Sequence, residues 1–226
     1  VMDLGIYDLF NDYVGIFQEA NENNIEVIFD IQYIKNLQPQ PYPTTCVSFT
    51  NWATPNVSVD LIDDYYMTNG KPITDPASGY DSQNPYLNRD PRLYETFILD
   101  GDKYNGRTAA LTEALASDPV NYPQGADWAQ GGSTHVLSLG TGLACRKWGL
   151  DRNTEWKNRP IQWPFLRLAE IYLSYAEALN EYNGSPNAQA YDAVDKVRAR
   201  VSLPGLKKGL GQTEFREALL RERACE

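Results

Sequence analysis

Two loop segments of this chain carry aromatic rings beside amide and carboxyl groups. Residues 121–132 read NYPQGADWAQGG and hold Tyr122 and Trp128, while Trp52 lies in a second segment that is bounded by prolines. A flat ring can cover the C–H face of a pyranose, and amide or carboxyl groups can bond its hydroxyls. The segments are therefore candidate carbohydrate-binding loops. The candidate contact residues of these segments are Asn51, Trp52, Asn121, Tyr122, Asp127, Trp128 and Gln130, and a third loop adds Tyr80 and Tyr86.

A single ring is too weak a platform to hold a sugar alone. Covering about 100 Å² of sugar at about 25 cal/mol per Å² contributes roughly 2.5 kcal/mol, which is less than the roughly 4–15 kcal/mol that association costs. We therefore expect several platforms and weak binding per site, which suits a long polymer that several sites hold together. The alternative interpretation of the 15 tyrosines is that they border the core.

Catalytic and metal-binding patterns are weak in comparison. The 30 acidic residues show no spacing that singles out a glycosidase pair, and the only histidine, His135, has no identifiable orienting acid. Residues 100–106 depart from the calcium-loop pattern, and the three cysteines have no zinc-type spacing. We predict a protein that is not an enzyme and that needs neither a cofactor nor a metal.

The composition limits the class of partner. There are 20 Lys plus Arg against 30 Asp plus Glu, a net charge of −10, which argues against binding to nucleic acid. Hydrophobic residues make up 42% of the chain, as in folded proteins. A disulfide between Cys46 and Cys145 is permitted but not required.

Residue patterns divide the chain into three parts. Residues 1–37 predict an amphipathic helix over 6–20 and a strand over 27–33. Residues 38–160 are loop-rich, with a short helix over 59–66 and a strand over 93–99. Residues 161–226 predict a helical hairpin and the start of a third helix.

The last of these parts has the clearest pattern. A helix is predicted over 163–181 and ended by Asn183-Gly184, a second helix begins after Ser185 with Pro186 at its first helical position, and Thr213 caps a third. Trp163 is expected to be a core or helix-entry residue. Arg198 and Arg200 are expected on the solvated side of the second helix.

Seven segments of the chain together resemble the SusD/RagB family of nutrient-binding lipoproteins. The matching segments are EVIFDIQY (26–33), VDLIDDYYMTNGKPI (59–73), RDPRLYETF (89–97), ACRKW (144–148), WPFLRLAEIYLSYAEALNE (163–181), YDAVDKVRARVSLPG (191–205) and FREALLRERACE (215–226). The resemblance implies a mainly α fold, with a tetratricopeptide-like layer of helical hairpins, a long irregular segment and a few short strands. It also implies that residues 1–226 form one C-terminal region of a longer protein.

The resemblance further implies a function. Members of this family bind glycans at the outer face of the outer membrane, are lipid-anchored through an N-terminal region, and pass their ligand to a SusC-like TonB-dependent transporter. We therefore expect a non-enzymatic protein that binds oligosaccharide or polysaccharide. Two alternatives stay open, which are a RagB-like peptide-binding protein and a structural docking module with no small ligand.

Overall fold

The computed structural model describes residues 1–2, 4–34, 57–104, 107–109, 143–147 and 162–226. The candidate residues Asn51, Trp52, Asn121, Tyr122, Asp127, Trp128 and Gln130 lie outside these ranges. Two short 3-10 helices span Gly15–Phe17 and Glu19–Asn21. The remaining elements are β1 (Val27–Ile31), α1 (Val59–Asp64), α2 (Pro91–Thr96), β2 (Phe97–Ile98), β3 (Lys103–Tyr104), β4 (Arg107–Thr108), β5 (Ala144–Cys145), β6 (Trp163–Arg167), α3 (Leu168–Asn183), α4 (Ala188–Arg200) and α5 (Gln212–Cys225).

Helices α3, α4 and α5 form the main body of the described structure. Helix α3 packs against both α4 and α5, so the predicted hairpin and its third helix are confirmed. The core between them contains Leu173, Val194, Phe215 and Leu219, all buried. None of the described helices combines the length and the apolar run that crossing a bilayer needs. The mainly α prediction, with a few short strands, is confirmed.

The boundaries of these three helices differ from the prediction. Residues 163–167 form strand β6, which pairs antiparallel with β1, so Trp163 lies opposite Ile31 and is not a helix-entry residue. The apolar run of 163–181 fits a strand as well as a helix, and the partner strand decides between them. Helix α4 begins after Asn187, whose side chain accepts a hydrogen bond from the amide of Ala190 at 2.9 Å. Helix α5 begins at Gln212, one residue before the predicted cap.

The helix predicted over residues 6–20 is wrong. The apolar residues Tyr13, Ile16 and Phe17 do pack together, but the backbone there forms two single 3-10 turns. A carboxylate oxygen of Asp12 lies 2.6 Å from where a side chain on Gly15 would begin, and the Asn21 amide bonds the carbonyl of Gly15 at 3.0 Å. These contacts favour a tight turn over a continuous helix.

Residues 57–104 are turn-rich, as predicted, and include the short helix α1. The strand predicted over 93–99 is wrong for its first half, because Pro91–Thr96 is helix α2 and only Phe97–Ile98 is extended. Asp90 caps this helix by accepting a hydrogen bond from the amide of Arg92 at 2.9 Å, and Pro91 occupies its first turn. A cap followed by proline favours a helix start.

The cysteines fall into two states. Cys145 is disulfide-bonded, whereas Cys225 is a free thiol buried in the core that α5 shares with α1 and α2. Burial raises the pKa of the Cys225 thiol well above its usual value, so this side chain behaves as a core residue. Cys46 lies outside the described residues.

Candidate functional site

Of the predicted contact residues, Tyr80 and Tyr86 are the two that the structure describes, and both lie in one closed loop. We call residues 67–89 the tyrosine loop. Its ends are joined by an antiparallel bridge between Met67 and Arg89, and the amide of Thr68 bonds the carbonyl of Asn88 at 2.8 Å. The loop therefore leaves the body and returns to it at one place.

Side chains within the tyrosine loop hold its turns. The carboxylate of Asp75 accepts a hydrogen bond from the amide of Ala77 at 2.7 Å, and that of Asp81 accepts one from the amide of Gln83 at 2.9 Å. Such turns are typical of Asp in loops. The buried Ser78 hydroxyl accepts a hydrogen bond from the amide of Tyr80 at 3.2 Å. The backbone at Tyr80 is thus tied to a buried residue.

A buried arginine clamps the loop to the body. Arg89 is fully buried and donates to the carbonyls of Ile62 (2.6 Å) and Tyr65 (3.0 Å) at the C-terminal end of α1, and to that of Pro85 (2.7 Å). Within the described part of the chain it makes no ion pair, and its Nε has no hydrogen-bond partner. Burial lowers the pKa of Arg89 from its usual value. A cation is favoured at this position because the end of a helix carries partial negative charge.

The Tyr80 ring lies beside this arginine, and Tyr86 packs against the core that α1 and α2 share with α5. The guanidinium of Arg89 lies 5.7 Å from the centre of the Tyr80 ring, and Tyr80 is half-buried. Burial raises the pKa of Tyr86, and the positive charge of Arg89 opposes that rise. The Tyr94 hydroxyl bonds the carbonyl of Tyr86 at 2.5 Å and accepts a hydrogen bond from the amide of Arg89 at 3.0 Å.

The tyrosine loop thus carries two half-buried tyrosines and is held to the body by the hydrogen bonds of Arg89. Tyrosine rings with wet edges can lie against apolar sugar faces and bond hydroxyls, which is chemistry that needs neither a metal nor a titrating group. In the described part of the chain no three His, Cys, Asp or Glu side chains are grouped so as to hold a metal ion. Sequence reasoning missed Arg89, because an arginine before Asp90 carries no local sign of its burial.

A second buried charge system contacts the start of the tyrosine loop. We call it the arginine–carboxylate network, because it joins four arginines to four carboxylates. Its members are Arg92, Arg167, Arg198, Arg200, Glu26, Asp90, Glu222 and Glu226. Both carboxylate oxygens of Glu222 are bonded, to Arg92 at 2.6 Å and to Arg198 at 2.7 Å.

Two members of the network contradict the sequence expectation. The side chains of Arg198 and Arg200 are 0% and 2% exposed, so neither lies on a solvated helix face. Arg200 bonds Glu26 at 2.7 Å and also pairs with Glu226. The attraction of these two carboxylates offsets the desolvation cost of burying the Arg200 guanidinium.

The charges of the network reinforce one another. Burial alone would raise the pKa of Glu226, but Arg200, Arg167 and Arg92 outweigh it and lower that pKa well below its usual range. Burial opposes the charged form of Arg92, but Glu222 and Asp90 raise its pKa well above the usual value. The Glu226 carboxylate and the Arg92 guanidinium therefore stay ionised at neutral pH.

The network also fixes the base of the tyrosine loop. The Arg198 guanidinium bonds the carbonyl of Gly70 at 3.3 Å and that of Pro204 at 2.8 Å, and lies 4.4 Å from the centre of the Tyr66 ring. The amide of Asp90 bonds the carbonyl of Tyr66 at 2.8 Å. The loop thus begins and ends on a rigid, charge-paired core.

The family model described as the SusD family matches residues 15–226 of this chain. The chain belongs to the SusD family. Its fold is similar to that of a SusD-like carbohydrate binding protein from Bacteroides fragilis NCTC 9343, at 26% identity and a TM-score of 0.80, over 99% of this chain and 43% of that one. A second SusD-like protein of that organism matches at 26% identity and a TM-score of 0.66, over 100% of this chain and 46% of that one.

A curated SusD-like relative gives the same family assignment. SusD-like protein P25 of Formosa agariphila is 27% identical over 97% of this chain and 40% of its own length. The chain therefore spans less than half the length of these SusD relatives.

Proposed function

We propose that this SusD-family chain is part of a non-enzymatic glycan-binding protein. It captures oligosaccharide or polysaccharide and delivers it to a SusC-like TonB-dependent transporter, while a lipid anchor in an N-terminal region holds it at the outer face of the outer membrane. The observation that carries this proposal is the family match over residues 15–226, together with the likeness to a carbohydrate binding protein of the same fold.

The chemistry of the tyrosine loop supports carbohydrate as the ligand. Tyr80 and Tyr86 are half-buried residues of a loop that Arg89 and the arginine–carboxylate network hold in place. A pre-ordered loop loses little conformational entropy when it binds, so more of the stacking free energy becomes affinity. One ring contributes roughly 2.5 kcal/mol, which is too little to hold a sugar alone. We therefore still predict that Trp128, Tyr122 and Trp52 are further stacking platforms.

Four buried carboxylates of the described region have a structural role rather than a hydrolytic one. A glycosidase needs two carboxyl groups that face the scissile bond and are free to exchange protons. Glu26, Asp90, Glu222 and Glu226 are instead bonded to buried arginines. A release of reducing sugar by the purified protein would contradict the proposal.

Electrophoresis in polysaccharide-loaded gels tests the function. We expect one or more neutral polysaccharides from a panel of starch, xylan, laminarin and galactan to retard the protein. Tyr80→Ala and Tyr86→Ala should each weaken retention about tenfold, which corresponds to about 1.4 kcal/mol of lost contact. Trp128→Ala and Trp52→Ala should act in the same direction.

Tyr182→Ala is the matched control for these variants. Tyr182 is 90% exposed at the end of α3 and is not part of the tyrosine loop, so its removal should leave retention unchanged. Thermal unfolding of every variant separates lost contact from lost folding. Equal retention of the natural protein and all four aromatic variants would overturn the proposed site.

The partner and location are tested separately. A full-length, lipid-anchored protein should co-purify from detergent-solubilised outer membranes with a TonB-dependent transporter. Recovery of the protein in the soluble fraction, with no transporter attached, would contradict this part of the proposal.

A further inference from the structure

An open groove lies between the start of the tyrosine loop and helix α5. Its volume is about 490 Å³, within the roughly 300–1,000 Å³ that small-molecule sites occupy. One wall is formed by residues 70–75, and the other by α5 with the segment 206–210 that precedes it. Neither Tyr80 nor Tyr86 lines it, so the groove is distinct from the site proposed above.

The floor of the groove is apolar and rigid. Leu206 and Ala218 belong to or pack against the main helical core, and Pro72 and Leu210 extend the apolar lining. The Tyr66 ring also lines the groove, and the guanidinium groups of Arg198 and Arg221 lie 4.4 Å and 5.6 Å from its centre. The network bond from Arg198 to the carbonyl of Gly70 fixes the wall beside it.

The rim carries charges of both signs in equal number. Lys71, Lys207 and Arg221 supply three positive charges, and Asp75, Glu214 and Glu217 supply three negative charges, so 3 − 3 leaves no net charge. Such a rim gives no long-range attraction to an anionic or a cationic ligand. It does offer donors and acceptors together.

Three of these rim groups are uncommitted. Within the residues that the structure describes, the side chains of Lys71, Lys207 and Glu217 make no hydrogen bond or ion pair. Arg221 in contrast bonds Asp64 at 3.3 Å, and Glu214 accepts a hydrogen bond from the amide of Gly211 at 2.9 Å. Free donors and acceptors above an apolar floor match a sugar ring, which has a C–H face and hydroxyls that both donate and accept.

We propose that this groove is a second carbohydrate subsite, which binds a short neutral segment of the polymer held at the tyrosine loop. This inference rests on the glycan-binding function proposed above. An extended peptide fits the groove less well, because peptide capture by backbone pairing needs an open strand edge. The walls here are a loop and helix α5 with the segment before it, and none of these described residues belongs to a strand.

Backbone amide shifts in nitrogen-15 NMR spectra test the subsite directly. The probes are maltohexaose, cellohexaose, xylohexaose and laminarihexaose, each added to the labelled protein. We expect at least one probe to shift the amides of Gly70, Lys71 and Leu210, in addition to those near Tyr80. Shifts at the tyrosine loop with none at the groove for every probe would overturn the subsite and leave the proposed function standing.

Two outcomes separate the remaining possibilities. If no hexasaccharide shifts any amide and no polysaccharide retards the protein, the subsite and the function both fail. If trialanine shifts the groove amides and the sugars do not, the groove is a peptide site and the inference is wrong.

A groove-filling variant measures the contribution of the subsite. Ala218→Trp places an indole on the floor and should weaken the best-binding hexasaccharide at least tenfold by calorimetry. Leu220→Trp is the matched control, since Leu220 lies on the same helix, is 55% exposed and does not line the groove. We expect it to bind like the natural protein.

A second, milder variant tests the subsite even if Ala218→Trp does not fold. Lys207→Ala combined with Glu217→Ala removes two exposed, uncommitted side chains and should leave thermal unfolding unchanged while weakening binding about tenfold, the loss expected for hydrogen bonds to charged groups. Unaltered affinity in this double variant would overturn the subsite.

Discussion

At the scale of single residues, the main finding is where the arginines lie. Arg89, Arg92 and Arg198 are among the largest fully buried side chains. Arg89 donates hydrogen bonds to backbone carbonyls, whereas Arg92 and Arg198 share the carboxylate of Glu222. Removing one partner of such a buried pair leaves the other charge uncompensated, which costs far more than the pair contributes relative to apolar residues.

Glu222→Gln should therefore be strongly destabilising. In this variant Arg198 loses the carboxylate that pairs with it, and we expect the free energy of unfolding in urea to fall by about 3–5 kcal/mol. The control is Glu181→Gln, which breaks an exposed pair with Arg216 and should leave the unfolding curve nearly unchanged. Similar curves for the two variants would show that the network is not a buried unit.

The lowered pKa of Glu226 predicts a pH-dependent contribution to stability. A lowered pKa means that the folded protein binds this proton less tightly than the unfolded chain, so the stabilisation is complete above the ordinary value of about 4.3 and is lost as the pH falls below it. Glu226→Gln should be less stable than the natural protein at about pH 7, and the gap should narrow between about pH 5 and 3. Urea unfolding across this range measures the gap, and a constant gap would contradict the assignment.

At the scale of elements, caps determine where the helices of the C-terminal body begin and end. Asn187 caps α4 through its side chain, and Gly184 ends α3 in the left-handed region with a φ of 69°. Glycine adopts that conformation without a steric penalty, whereas a residue with a Cβ does not. The tight link between α3 and α4 depends on it.

Gly184→Ala should destabilise the hairpin by about 1–2 kcal/mol for this reason. Gly184→Asn should cost less, because asparagine tolerates the left-handed conformation better than other side chains. Thermal and urea unfolding of the two variants give the comparison. An alanine variant that is as stable as the asparagine variant would mean that backbone strain at this turn is negligible.

At the scale of the whole molecule, the net charge of −10 bears on which glycans can approach. The arginine–carboxylate network contains four positive and four negative groups, so it does not alter that balance. A protein with an excess of negative charge repels polyanions, and salt weakens the repulsion beyond a distance of about 10 Å at 0.1 M.

Neutral polysaccharides should therefore be preferred to acidic ones. The comparison uses the neutral polysaccharide that retards the protein most and its sulfated derivative, in gels of low and high ionic strength. We expect weaker retention by the sulfated form at low salt and a smaller difference at high salt. Stronger retention by the sulfated form would indicate a basic site that dominates binding despite the overall charge.

The sequence alone determined the features that depend on neighbours along the chain. The two-residue period of Val27–Ile31, the Asn183-Gly184 helix end and the turn residues of the tyrosine loop each specify local backbone geometry. The apolar spacing of α3 and α4 likewise predicted their packing as a hairpin. The seven family segments pointed to the SusD family, which the family match confirmed.

The tertiary structure decided what depends on partners far away in sequence. Residues 163–167 are a strand because β1 pairs with them, although their apolar run equally fits a helix. Arg200 is buried because it pairs with Glu26, which lies 174 positions away in the sequence. Arg92 is buried because it pairs with Glu222, which lies 130 positions away. A charged residue on a helix has no local mark of such a partner, so only the folded chain separates a solvated arginine from a buried, paired one.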